Sequence, residues 1–402
     1  MNIIHGKTDC SPDTIGYDTS RLDAVNAFFA RFMEEKVIHG VSYCLARRGK
    51  VFASTALGSR HYKKPDLFLQ PDSIFGITSV TKAFTSAAVQ ILVEDGLLST
   101  DDKVAKYLPQ FDGPPYDQIT LFHLLTHTSG LHPDPGIMPG ILHHVNCYEH
   151  IAGQIEKDGM DADWISAGLR AGMYCEPGER WMFCSFGTSI LGAVIEEVAG
   201  VKVADFIIER ICKPLGMTDT AFDLAPDMAR RAVIFSEMDE QRINAAGREK
   251  SFDDGIWDAI TAPSSGLFST TSDLIRFGIM VQQGGVYNGA RILGRKAVEK
   301  MTMKMTPVPD YCWGAGGVKR PCTLGGVVYR NSPGSLVSSE TFSCQGTGEI
   351  ILIVDPVEEL VCVCYYPWTI REIGISDGKG EKGFNADCHN RLFNVIWSGI
   401  WS

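Results

Sequence analysis

The sequence predicts an α+β protein, an α/β sandwich in which one antiparallel sheet is flanked by terminal helices and a mainly helical domain is inserted. Three observations carry this. Strand-like alternation occurs near the start of the chain and returns after residue 311. The stretch between reads mainly at helical period. Amphipathic helical patterns occur near residue 20 and near residue 390. The expected division is residues 1–74 with 302–402 as a discontinuous sheet domain, and 75–301 as the helical domain.

Residues 20–36 form the first expected helix. Leu22, Val25, Phe29 and Phe32 mark its buried face, with Ser20 as N-cap. Residues 40–46 alternate, with Val41, Tyr43 and Leu45 on one side; Arg48-Gly49 turns the chain and 51–56 run back, a hairpin. In 75–96, Val80, Ala83, Phe84, Ala87, Ala88, Ile91 and Leu92 fall at helical spacing, and Gly96 supplies a stop. A short helix is expected at 120–126, followed by a turn at His127-Thr128-Ser129-Gly130. Residues 133–172 are rich in Pro, Gly and His and read as a lid or pocket-lining region. Helices are expected at 190–198, 203–211 and 273–282. Strands are expected at 313–318, 325–330, 349–354 and 360–366, and a final helix at 387–400.

Composition narrows the function. The chain has 402 residues, 45% of them hydrophobic, enough to bury a large core, and its net charge is -11. That acidity argues against a nucleic-acid binder. The 12 cysteines include no C-x-x-C pair and read as free thiols of a reducing cytosol. The first residues lack the basic-then-apolar pattern of a secretory signal, and no apolar run could span a bilayer. The expectation is a cytoplasmic protein without membrane or nucleic-acid partners.

Chemistry concentrates at the start of the 75–96 helix. Ser79 and Lys82 stand three apart, so hydroxyl and amine share one helix face. A helix start offers free N–H groups and a positive dipole end, which favour developing negative charge. The pair reads either as an activated nucleophile or as a capping serine with a solvated lysine. His123 and His127 are four apart, but the glutamate of an H-E-x-x-H site is missing, and they read as structural, with no metal expected.

Five motifs occur in order: Ser79-Val80-Thr81-Lys82, HLLTHTSGL at 123–131, EPGERW at 176–181, KPLGMTDT at 213–220 and SSGLFSTTSDL at 264–274. Together they resemble the serine β-lactamase and penicillin-binding-protein superfamily. The branch they look most like is the class C β-lactamase-like esterases, D-aminopeptidases and transesterases. WGAGG at 313–317 is similar to the glycine-rich strand of fungal acyltransferases that finish statin-type polyketides. The resemblance implies the β-lactamase/transpeptidase-like fold and no cofactor. It also implies an acyl-enzyme on Ser79 with Lys82 as proton acceptor, and an oxyanion hole from the backbone N–H groups of Ser79 and Thr347.

Two departures matter. Where the family carries a Y-x-N element, this chain has Phe183 at the tyrosine position and Ser185 at the asparagine position. Three readings stay open: an engineered Tyr→Phe chain; a natural enzyme in which Lys82 works alone or another tyrosine, Tyr174 or Tyr311, reaches in; or a pocket turned to other chemistry or none. The family's Lys- or His-centred triad on the sheet's edge strand falls on Cys344-Gln345-Gly346, so the cation is replaced by a thiol. Phe183, Trp313, Cys344, Gln345 and Gly346 are the expected substrate-binding residues, and Trp181 reads as core. An apolar pocket without a cation suggests an ester, thioester or lactone of a small hydrophobic, polyketide-like molecule. The expected partner is that small-molecule acyl substrate, with an acyl-carrier or thioester donor as one option.

Overall fold

Alternation in the first hairpin places Val41, Tyr43 and Leu45 on one face and small residues, Ser42, Cys44 and Ala46, on the other. The hairpin forms as that pattern demands. The computed structural model describes residues 2–134, 146–159, 162–245, 260–305, 322–324, 328–329, 334–347, 350–366 and 386–402. Its main sheet has seven strands: β1 (Ile3–His5), β2 (Gly40–Arg47), β3 (Lys50–Gly58), β4 (Val328–Tyr329), β5 (Phe342–Gly346), β6 (Ile350–Asp355) and β7 (Leu360–Tyr365). Their order in space is β1-β3-β2-β7-β6-β5-β4, with every pairing antiparallel. The N-terminal hairpin and the C-terminal strands thus join at β2–β7, where Tyr43 pairs with Cys364 and Leu45 with Cys362.

Each face of the sheet has its own cover. Helices α1 (Ser20–Glu34) and α6 (Ala386–Trp397) close one face over Tyr43, Leu45, Phe29, Phe393 and Trp397. Cys362 and Cys364 lie in this layer as free thiols, their sulfurs 3.5 Å apart. On the other face lies α5 (Thr271–Gln282), packed on β2, β6 and β7. It approaches closely because the facing residues are small. Ser42 Oγ meets Thr271 Oγ1 at 3.0 Å, and a Cβ on Gly278 would run into the side chains of Val361 and Leu352. Beyond α5 lie α2 (Thr81–Glu94), whose Phe84 ring stacks on Phe277 at 4.1 Å, and α4 (Ser185–Ala199).

Some local expectations change. Ser20 is the first helical residue rather than the N-cap; its N–H donates to Asp18 Oδ1 at 2.9 Å. Part of the 133–172 stretch is helical among the described residues. It contains helices Cys147–Asp158 and Trp164–Leu169, each started by a side-chain cap, Asn146 and Asp163. The 203–211 helix widens out of α geometry after Ile207 into a π turn, Ile208–Cys212. The expected strand at 313–318, with Tyr311 and Trp313, lies outside the described residues. The strand that carries Cys344 is not the sheet's last: β4 pairs beyond it, Val328 against Ser343. No helix among the described residues is long and apolar enough to cross a membrane.

Candidate active site

The Ser79 turn is held from two sides. Phe75–Gly76 pairs with Phe268–Ser269, and the Ile77 N–H donates to Leu267 O at 2.9 Å. A 3-10 turn, Thr78–Val80, then runs into α2. Thr78 has φ of 43°, a left-handed conformation costly for a β-branched residue. Its Oγ1 donates to Thr347 O at 3.0 Å, fastening the turn to the end of β5. Gly346 makes that approach possible, since a Cβ there would collide with Thr78 Oγ1 and Ile77 O. Ser79 and Thr347, the expected oxyanion pair, therefore adjoin the two ends of one hydrogen bond.

The sequence gives α2 one broad apolar stripe, yet the helix is buried nearly all round, from Thr81 to Leu92. Three of its hydroxyl side chains are matched by chain that packs against it. Thr85 Oγ1 donates to Pro263 O at 2.6 Å, Ser86 Oγ to Leu324 O at 2.8 Å, and Thr81 Oγ1 accepts from Leu267 N at 3.3 Å. Lys82 is matched in the same way. Its Nζ lies 3.1 Å from Ser79 Oγ and donates to Ser264 O at 3.0 Å. Ser79 is half-buried and Lys82 buried, so the hydroxyl is reachable while the amine is dry.

Dryness sets the chemistry of Lys82. Burial disfavours the ammonium and pushes its pKa down to about 8; the Asp134 carboxylate and the Cys184 thiol oppose that only in part. Phe183, expected from the resemblance at the tyrosine position, lies beside the pair, with Lys82 Nζ 4.9 Å from its ring centroid. Trp181 is buried and packs on Phe183 at 6.3 Å. Ser185, expected from the resemblance at the asparagine position, opens α4, and Asp134 accepts from its N–H at 2.7 Å and its Oγ–H at 2.6 Å. Asp134 in turn donates its N–H to Phe183 O at 2.9 Å. A carboxylate at a helix N-terminus is electrostatically favoured. Its residue type gave the sequence reading no reason to single it out.

The remaining expected residues are placed as follows. Cys344 is buried, faces the side of the Ser79 turn with Gly346, and keeps its proton because burial pushes the thiol up to about 12. Gln345, one residue out of phase, takes the opposite face of β5, opposite Ile351 of the terminal-helix layer. Tyr174 sets its ring against His132 at 5.7 Å and its N–H on Gly130 O; neither partner belongs to the Ser79–Lys82 pair. Tyr148 is a hydroxyl that the sequence reading missed. Burial and Asp134 push it well above the phenol range, so it holds its proton. His123 and His127 do separate work. His123 closes a capping box with Thr120 at the start of α3 (Leu121–Leu125). His127 is buried against Phe183, ring centroids 4.8 Å apart.

This geometry can be set beside known proteins. The Beta-lactamase family profile matches residues 25–366. Protein Rv1367c of Mycobacterium tuberculosis (strain ATCC 25618 / H37Rv) is 28% identical over 304 residues, covering 70% of this chain and 71% of that protein. Esterase EstB of Burkholderia gladioli is 32% identical over 214 residues, covering 50% and 51%. Among solved structures, EstCE1, described as a hydrolase with promiscuous acyltransferase activity, superposes with a TM-score of 0.70 at 17% identity, covering 94% of this chain and 99% of that one. A class C beta-lactamase gives 0.70 at 17%, covering 96% and 98%. At such identity these structures establish the fold. With the profile spanning most of its length, the chain belongs to the beta-lactamase family, in the superfamily it shares with the penicillin-binding proteins.

Proposed function

We propose that the protein catalyses serine-dependent acyl transfer, hydrolysis or transesterification, through an acyl-enzyme on Ser79. The observation that carries this reading is the 3.1 Å approach of Ser79 Oγ to a buried Lys82 amine. The neutral amine keeps one N–H on Ser264 O and turns its lone pair to the serine O–H. Ser79 Oγ attacks the carbonyl carbon as its proton passes to Nζ. The ammonium then protonates the leaving oxygen or sulfur as that bond breaks. Backbone N–H groups of Ser79 and Thr347 would stabilise the oxyanion, worth a few kcal/mol in such sites. Burial, by pushing the amine down to about 8, leaves a neutral form available to act as the base.

Two features support an uncharged acyl group as substrate. Cys344 is a neutral thiol where the resemblance expects a cation, and Phe183 adds an apolar wall. We assign the substrate to esters, thioesters or lactones of small hydrophobic, polyketide-like molecules. Phe183 also favours a second reading, in which the pocket binds, cyclises or isomerises a small molecule without acylation. Exposure to p-nitrophenyl butyrate followed by peptide mass spectrometry separates them. A butyryl adduct on Ser79, absent in Ser79→Ala, is expected. An adduct elsewhere, or unchanged activity in Ser79→Ala, overturns the acyl-enzyme reading.

A further inference from the structure

The 123–131 motif contributes a residue that acyl transfer does not directly use. His127 has φ of 56°, a left-handed conformation rare outside glycine, so the fold holds it there against a local preference. Two hydrogen bonds hold the segment around Phe183 to it. The Met182 N–H donates to His127 O at 2.7 Å, and the Cys184 N–H donates to His127 Nδ1 at 3.3 Å. The residues on either side of Phe183 therefore hang on one histidine. Because Nδ1 accepts, the hydrogen of the neutral ring belongs on Nε2. His127 and Lys82 also line one small void of about 10 Å³, with Ser86 and Thr188 as its other polar walls.

We propose that His127 is a positioning residue for Lys82: it fastens the Phe183 ring over the amine and seals the amine's inner side with a neutral imidazole. This deepens, and rests on, the reading of Lys82 as the base for Ser79. It gives a physical role to the departure at Phe183. A phenyl ring cannot exchange a proton, but clamped from behind it excludes water, and water is what would favour the ammonium. The groups facing Lys82 support the assignment. Ser79 Oγ, Ser264 O and Phe183 bring no charge. The Cys184 thiol stays protonated; Asp134 first, then Cys184, favours the ammonium, and burial outweighs both. Burial and the neighbouring Lys82 push His127 down to about 3, so it stays neutral wherever the enzyme could work.

The test reads the ionisation of Lys82 itself. The full chain, labelled with 13C- and 15N-lysine, is titrated by NMR, with the Lys82 signal assigned by its loss in Lys82→Arg. In His127→Asn the shorter side chain keeps an acceptor for the Cys184 N–H and tolerates positive φ, but leaves room for water. Its Lys82 midpoint should rise by about one unit, and the base limb of ester acylation should rise with it. The rate at pH 6.5 then falls about tenfold while the plateau at high pH is kept. His127→Gln refills more of the space and should rise less. A merely structural role predicts an equal loss at every pH. An unmoved midpoint in whichever of the two variants folds overturns the proposal. In the wild type labelled separately with 15N-histidine, the His127 ring signals, assigned by their loss in His127→Asn, should show the Nε2–H tautomer and no titration between pH 5 and 9; another tautomer or a titration in that range also overturns it. If no adduct forms on Ser79, acyl transfer fails while these titrations still decide the role of His127.

Discussion

A lysine amine buried beside a serine costs stability, and the direction of its pKa fixes the sign. Lys82 has its pKa lowered on folding, so between about pH 8 and the unfolded value near 10.5 the unfolded chain binds more protons. Stability therefore rises with pH across that window, and the full penalty stands below it. Lys82→Met should raise the stability at pH 7 by about 1–3 kcal/mol, and by less at pH 9.5, in urea melts of both proteins. The same substitution should abolish acylation. Equal or lower stability at pH 7 would mean that the hydrogen bonds to Ser264 and Ser79 outweigh desolvation. Phe183→Tyr is the complementary change. A hydroxyl added beside Lys82 should raise p-nitrophenyl ester turnover about a hundredfold if an acid/base is missing; no gain favours the wiring through Lys82 alone. Ser79 and Lys82 were legible from their spacing. Asp134 and Ser264 were not, because a carboxylate and a backbone carbonyl carry no pattern until the fold brings them to the site.

Among the elements, the end of β5 and the turn before α2 have to be considered together. Each is short, and neither has a reason to take its shape alone. The strained Thr78 is held by its bond to Thr347 O, and Gly346 leaves the space in which that bond forms. Gly346→Ala places a Cβ against backbone and should push the turn away from β5. Acylation is expected to fall by about a hundredfold, with a smaller change in KM, because the oxyanion donors separate. Steady-state kinetics with p-nitrophenyl butyrate check this; an unchanged kcat would show that Thr347 does not serve the oxyanion. The element types were largely readable from periodicity, as α5 and the hairpin show. Their surroundings were not. The apolar stripe of α2 said nothing of what meets its other side, which the structure covers with residues 263–267 and Leu324.

At the scale of the molecule, the sheet takes its strands from both chain ends, and Asp355 fastens the C-terminal helix to it. This buried carboxylate ends β6. It accepts from Trp397 Nε1 of α6 at 2.7 Å and from the N–H groups of Ser338, Val357 and Glu358 at 3.0–3.1 Å. Asp355→Ala leaves buried donors without an acceptor and should cost about 2–4 kcal/mol, read as a lower urea midpoint at unchanged slope. Loss of less than 1 kcal/mol would mean that water replaces the carboxylate.

The sequence alone determined the period of each main element and the spacing of the serine–lysine pair, because these depend on residues close together along the chain; the sandwich followed from where the strand-like and helical stretches lie along it. Through the resemblance the sequence also implied a tyrosine hydroxyl missing at Phe183 and a cation missing at Cys344. Only the tertiary structure decided that Lys82 is dry, that Gln345 turns away while Gly346 meets the serine turn, and that His127 braces Phe183. Desolvation and close approach arise from segments far apart in sequence, and no local pattern records which of them will meet.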